Sequence, residues 1–310
     1  MRRTALRAVP ATLALVAALA GAAAAEAVPV APAVVNDPAP RDPRAPATLA
    51  GVRIPSHGDT MNGLLMVAAG AEPHPIVLLL HGFPGYEGLL DVGEAIRRAG
   101  FDVLAFHYRG SWGSGGSFSF SHCIEDAHAA VEFVRSPRFA AQYPVDPNRI
   151  YAVGHSMGGF VAVMLAAADP NVKGIAYISG WDIGSDARRW RDPRTQAAVQ
   201  DSFDLALPAL RRTNGATLLQ EAIQHSQAWS LASVAARIAD RPVLMTVAEF
   251  EAGGNPPTIS HEPLRNALRA AGARSLETHS FPTDHSYSDQ RIALASTIVT
   301  WLQRISGRGP

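Results

Sequence analysis

Hydrophobic positions along the chain follow two alternating rhythms. PIVLLLHG (75–82), FDVLAFHY (101–108), RIYAV (149–153), GIAYIS (174–179), RPVLMTVA (241–248) and LETHSF (276–281) are short runs with the length and residue types of strands. Between them apolar residues return at helical spacing: Leu89, Val92, Gly93 and Ile96; Ile124, Ala127, Val131 and Val134; Phe160, Val163, Met164 and Ala167; Leu264, Ala267, Leu268 and Ala271. A last helix runs through Trp301, and VRIPS and GLLMVAAG form an antiparallel pair about the turn HGDT. Strand and helix alternating to the end predict an α/β fold, with a mostly parallel sheet and helices on both faces.

One interval breaks the alternation. About 60 residues separate GIAYIS from RPVLMTVA, where a crossover needs a few loop residues and one helix. Leu218, Leu219, Ala222 and Ile223 keep helical spacing inside it, as do Leu231, Val234, Ala235 and Ile238. The interval is therefore expected to be a helical lid, about 181–240, inserted before the penultimate strand and roofing the carboxyl ends of the strands, where such sheets bind ligands. Leu205, Leu207, Leu210 and Trp229 are its candidate pocket walls.

Ahead of the first strand, Arg2, Arg3 and Arg7 precede an Ala/Leu/Val run that ends in small residues, the layout of a secretory signal peptide over 1–27. A proline-rich linker over 28–47 is expected to be extended, and a single domain fills 48–310. Removing three arginines and Glu26 from 27 basic and 27 acidic residues leaves 24 against 26. The expected location is secreted or periplasmic, with no stable membrane span after cleavage. The single Cys123 excludes an internal disulfide, so the domain must rest on its apolar core. The chain is 47% hydrophobic and 17% charged, enough to build that core. Lys173 is its one lysine, and no arginine cluster interleaved with aromatics argues for nucleic acid.

Chemistry concentrates where RIYAV ends. Gly154-His155-Ser156-Met157-Gly158 sets a serine at a strand-to-helix corner, with small residues that let strand and helix approach closely. Such a corner holds the hydroxyl clear of the sheet beside free helical N–H groups. Two other groupings carry less. His122 and Asp126 share one helix face at i, i+4, but Cys123 and His128 fall on other faces, which argues against a metal. RGSWGSGGS (109–117) lacks the Gly-Lys-Ser/Thr ending of a phosphate loop and reads as a pocket-edge loop.

HGFPG (81–85), FHYRGSWGSGG (106–116), GHSMGG (154–159) and TDHSYSDQR (283–291) together resemble the α/β-hydrolase-fold serine hydrolases, over about Gly51 to Ile305. The likeness is nearest to the dienelactone-hydrolase-like and prolyl-oligopeptidase-like branches, with Ser156 where true dienelactone hydrolases carry cysteine. It implies that Ser156 is the nucleophile and that His285, in the loop after the last strand, is its base. The oxyanion donors it implies are the N–H groups of Phe83 and Met157, with His81 organising the loop, His155 and His279 structural, and Asp284 fixing its own loop. The acid position, a small residue followed by two variable ones, falls on Glu251; Glu249 and Asp182 are its rivals. The implied activity is cleavage of a small-molecule carboxylic ester through an acyl-enzyme without a cofactor. A serine peptidase is the alternative of the same class, and a catalytically silent binding protein that keeps the fold is the alternative from another class.

Overall fold

Strands buried on both faces must be apolar at every position, and that is what the central runs provide. A computed structural model of the protein describes residues 29–38, 43–251 and 256–308. Among them eight strands form one sheet in the order β1-β2-β4-β3-β5-β6-β7-β8. They are β1 (Thr48–Ser56), β2 (Asp59–Val67), β3 (His74–Leu80), β4 (Asp102–Phe106), β5 (Val145–His155), β6 (Val172–Ile178), β7 (Val243–Ala248) and β8 (Leu276–Phe281). The hairpin closes with Ser56 opposite Asp59, β2 runs antiparallel to β4, and the remaining pairings are parallel.

In β3, Ile76, Leu78 and Leu80 enter one core, while Val77 and Leu79 enter the other. The period of two sends successive side chains to opposite faces. The helices in chain order are α1 (Pro32–Val35), α2 (Leu90–Arg98), α3 (Phe120–Arg135), α4 (Pro137–Gln142), α5 (Met157–Ala168), α6 (Ile183–Arg189), α7 (Pro193–Asp204), α8 (Gly215–His225), α9 (Leu231–Val234), α10 (Pro257–Ser260), α11 (Glu262–Ala270) and α12 (Arg291–Ser306). Val92 and Ile96 of α2 and Ile298 and Leu302 of α12 pack on one face; Ala127 and Val131 of α3, Phe160 of α5 and Leu264 of α11 pack on the other. The interval before β7 is helical, as its spacing required, and holds α6 to α9.

Part of the proline-rich stretch is not extended. Residues 32–35 make one helical turn whose carbonyls at Ala33 and Val34 accept the Arg98 guanidinium, and Ala31 N donates to Ser296 Oγ at 3.2 Å. Pro32 tolerates this because the first helical position needs no N–H. The leader expected over 1–27 lies outside the described residues. No helix among the described residues is long and apolar enough to cross a membrane.

β3 has β4 on one side and β5 on the other, so the chain reverses its direction of travel across the sheet there. The loops leaving the carboxyl ends of β3 and β5 must diverge at such a switch point, opening a crevice between them. Gly82 and Ser156 stand on those two loops.

Candidate active site

Ser156 takes φ 56° and ψ −122°, a left-handed backbone that side-chain-bearing residues rarely adopt. The surroundings enforce it. Ser156 N donates to Ile178 O at 3.0 Å, while its carbonyl accepts Gly159 N and Trp181 N, both at 2.9 Å. A Cβ on Gly158 would stand 1.9 Å from the Leu80 carbonyl oxygen, so only glycine lets α5 press this close to β3. The hydroxyl is thereby presented at the amino end of a buried helix, where unpaired N–H groups and the helix dipole favour negative charge.

The loop after β3 closes against this corner. A Cβ on Gly82 would meet Ser156 Cβ at 2.9 Å. Among the described residues neither the Phe83 nor the Met157 backbone N–H has an acceptor, leaving two donors beside the serine. His81 Nδ1 lies 2.7 Å from Gly82 O, and burial lowers the His81 pKa from 6.5 to about 4. Neutral His81 therefore fixes the loop with one N–H.

His285 and Glu251 meet although the sequence holds them 34 positions apart: Nδ1 is 2.7 Å from Oε2, with the Glu251 side chain 5% exposed. With Glu251 ionised, Nδ1 carries the proton and the Nε2 lone pair is left free. Glu249, the nearer rival, turns outward to accept Ser280 Oγ at 2.7 Å. Asp182 is occupied elsewhere, accepting Ser185 N, Ser185 Oγ and Leu231 N as the cap of α6. Asp284 accepts Ser288 N and Oγ within its own loop, and His279 pairs with Glu277 on β8.

His155 joins the serine corner to the histidine loop. Its Nε2 is 2.8 Å from the His285 carbonyl oxygen, and the two rings lie 4.6 Å apart. Burial first, and the neighbouring His285 second, lower its pKa to about 3, so Nε2 donates as a neutral imidazole. Among the described residues no hydrogen bond joins Ser156 Oγ to His285, a contact that in hydrolytic sites often tightens only with substrate bound.

Two supports of the site carry no local sequence signal. Tyr287 Oη lies 3.0 Å from Ser179 Oγ and 2.8 Å from Thr246 Oγ1, tying the histidine loop to the ends of β6 and β7. Trp112 Nε1 donates to Pro84 O at 2.7 Å. Trp112 is thus a buttress behind the 82–85 loop, and the pocket edge expected of RGSWGSGGS is that of a neighbouring cavity of about 480 Å³ that it shares with His81, Tyr86 and His107, not of the serine cleft. Asp126, in the grouping weighed as a metal site, accepts Ser56 Oγ, Arg109 N and Arg109 Nε.

A cleft of about 640 Å³ opens on Ser156 between Phe83 and the lid segment 181–203. The expected walls do not form it. Leu205 is 81% exposed, Leu210 is buried against Ser111, and Trp229 stacks on His225 within the lid. Neither these three nor Leu207 touches the cleft, whose aromatic walls are Phe83, Trp181, Trp190 and Phe203. Helical phase explains the difference: Phe203 sits on the buried side of α7, and Leu205 leaves that helix toward solvent.

Comparison with known proteins bears on the fold. Over 170 residues the chain is 31% identical to "Putative esterase NocK" of Nocardia uniformis subsp. tsuyamanensis, covering 49% of this chain and 48% of that protein. The matches span about a third to a half of the length of the curated relatives. Est1E from Butyrivibrio proteoclasticus, solved with ferulic acid bound, superposes with a TM-score of 0.66 at 18% identity, over 83% of this chain and all of that one. The acylaminoacyl peptidase of Pyrococcus horikoshii gives 0.64 at 15% identity, over 86% of this chain and 43% of that one. At these identities the two structures speak for the fold. The family model described as alpha/beta hydrolase fold matches residues 75–270, well over half of the chain, and with the eight-stranded sheet it shows that this protein belongs to the alpha/beta hydrolase fold family.

Proposed function

We propose that the protein is a serine hydrolase that cleaves carboxylic esters through an acyl-enzyme. The observation that carries the reading is the 2.7 Å pair of His285 Nδ1 with Glu251 Oε2, on a loop that His155 ties to the Ser156 corner. A serine hydroxyl is a poor nucleophile until a base removes its proton. His285 Nε2 takes that proton as Ser156 Oγ attacks the ester carbonyl, and Glu251 stabilises the imidazolium that forms. The N–H groups of Phe83 and Met157 receive the oxyanion. His285 then protonates the leaving alcohol, and water, activated by the same imidazole, releases the acid and restores the serine.

Ester over peptide cleavage is favoured by the "Putative esterase" relative, which is similar along about half of each chain. Labelling the folded protein with a fluorophosphonate tests the nucleophile: adduct is expected on Ser156, and a folded protein that takes none sinks the enzyme reading in favour of a silent binding protein. Esters of graded acyl length beside aminoacyl anilides test the bond. Anilide turnover without ester turnover moves the reading to a peptidase. Export belongs to the same proposal: mature protein recovered outside the cytoplasm is expected to begin at Glu26 or Val28, and an intact Met1 terminus there would contradict it.

A further inference from the structure

We infer that the cleft on Ser156 is a pocket for an aromatic acyl group, so that the preferred substrates are esters of aryl-bearing carboxylic acids. The inference rests on the serine-hydrolase reading and narrows its substrate class.

The cleft has the volume of a small-molecule site, and four of its twelve lining residues are rings, set beside the polar side chains of Asp186, Arg189, Arg194, Thr195 and Ser202. Phe83 and Phe203 meet at 5.6 Å and 70°, Trp190 and Phe203 at 5.7 Å and 83°, and Trp181 and Trp190 at 5.9 Å and 55°. These are edge-to-face and tilted contacts, an arrangement that a further ring extends by offering its face to one edge and its edge to another. The rings come from separate parts of the chain: Phe83 from the loop after β3, Trp181 from the end of β6, Trp190 from between α6 and α7, and Phe203 from α7. Their shared product is an aromatic enclosure beside one hydroxyl. Aliphatic lining is limited to Ala198 and Val199, too small a surface to define an alkyl tunnel.

The walls are held in place. Trp181 Nε1 donates to Asp186 Oδ2 at 2.7 Å, and that carboxylate, 3% exposed, also accepts Arg189. The Trp190 carbonyl accepts Gln196 Nε2 at 2.9 Å. Behind them Phe120 packs on Phe83, Phe203 and Trp181 at 5.7 to 5.8 Å. A pre-formed enclosure spends little of its binding energy on ordering itself.

Geometry also assigns the cleft to the acid side of the ester. The leaving alcohol departs beside His285, which protonates it. None of the residues lining the cleft belongs to the Glu251 or His285 loops, so what fills it is the part of the substrate that stays on Ser156.

Methyl 3-phenylpropanoate and methyl 3-cyclohexylpropanoate match in length and nearly in volume but differ in aromaticity, and benzyl acetate moves the ring to the alcohol. Their hydrolysis by the full protein can be followed in a pH-stat. Each ring contact of this kind adds about two- to tenfold, so kcat/KM for the phenyl acid ester should exceed that for the cyclohexyl one by about tenfold, with benzyl acetate below both. Trp190→Leu and Phe203→Leu should bring the phenyl-to-cyclohexyl ratio toward one. A wild-type ratio near one, or a preference for the ring on the alcohol, overturns the inference and leaves the serine-hydrolase reading standing. Failure on all three esters with no fluorophosphonate adduct on Ser156 overturns the reading and the inference with it.

Discussion

Glu251 Oε2 stands 2.7 Å from His285 Nδ1 with the carboxylate side chain almost wholly buried, while Glu249, two residues earlier, faces out to Ser280. An extended backbone sends alternate side chains the same way, but the chain leaves β7 at Ala248 and turns, so the two glutamates part company. Among the described residues, Glu251 is the carboxylate that meets the His285 ring. Glu251→Gln should keep the fold and lower kcat by about 10³- to 10⁴-fold, since an amide neither fixes the tautomer nor stabilises the imidazolium. Asp182→Asn and Glu249→Gln serve as controls. A collapse of kcat in either, with Glu251→Gln near wild type, would move the acid to that residue.

The acidic limb of the stability curve should be set by buried histidines. Burial lowers His81 and His261 from 6.5 to about 4 and His155 to about 3. Each stays neutral when folded but takes up a proton when unfolded below 6.5. The stability they permit is therefore whole above about pH 6.5 and is lost progressively as the pH falls toward 4 and then 3, by at most about 1.4 kcal/mol per pH unit for each histidine. Asp182 and Asp186, raised by burial, pull the other way, but only as the pH nears the carboxylate range. Urea midpoints should fall steeply between pH 6.5 and 5. A flat profile there would show that these imidazoles are not buried neutral.

The alternation of runs and spacings made the parallel sheet and its two helical layers legible, because an apolar strand and an amphipathic helix are local patterns. Ser156 and its glycines were legible for the same reason: the close approach of α5 to β3 writes small residues at fixed offsets. The cleft was not. Trp181, Trp190 and Phe203 converge only through tertiary packing, and no local pattern singles them out. Trp229, expected from the sequence as a pocket wall, packs instead against Phe160 and His225. The helical turn at 32–35 was hidden by its prolines, since the docking that stabilises it comes from α2 and α12.

Asp126 illustrates how a grouping that suggests a metal can be structural. It is fully buried, and Arg109, with a side chain 5% exposed, offers it both N–H and guanidinium. Removing one partner of a buried pair leaves the other charge in a poor solvent. Arg109 keeps a second carboxylate in Glu125, which is 44% exposed, so Asp126→Asn should cost about 2 to 3 kcal/mol, below what a lone pair would lose. Denaturant unfolding checks this. A loss under 0.5 kcal/mol, the size of about one surface substitution, would mean that Glu125 alone suffices.

Trp112 links the lid to the 82–85 loop and should act on rate more than on binding. Its backbone lies in the left-handed region at φ 45°, a position that persists only where surroundings over-determine it. They do: Trp112 N donates to Ala209 O at 3.2 Å, Arg211 N to Gly110 O at 2.7 Å, and Phe118 N to Arg211 O at 3.1 Å, lacing the 110–118 loop to the lid. From that anchorage the indole Nε1 reaches Pro84 O, one residue beyond the Phe83 N–H proposed to hold the oxyanion. Trp112→Phe keeps an aromatic ring, though a smaller one, and deletes this hydrogen bond. A net hydrogen bond is worth about 1 kcal/mol, and a loosened donor is felt where charge develops, in the transition state. Trp112→Phe should therefore lower kcat by about five- to tenfold with KM within about twofold, and Trp112→Leu, which also removes the edge contact with Tyr86, should do no less. If both variants raised KM and left kcat alone, the indole would be a wall for substrate and not a brace for the loop.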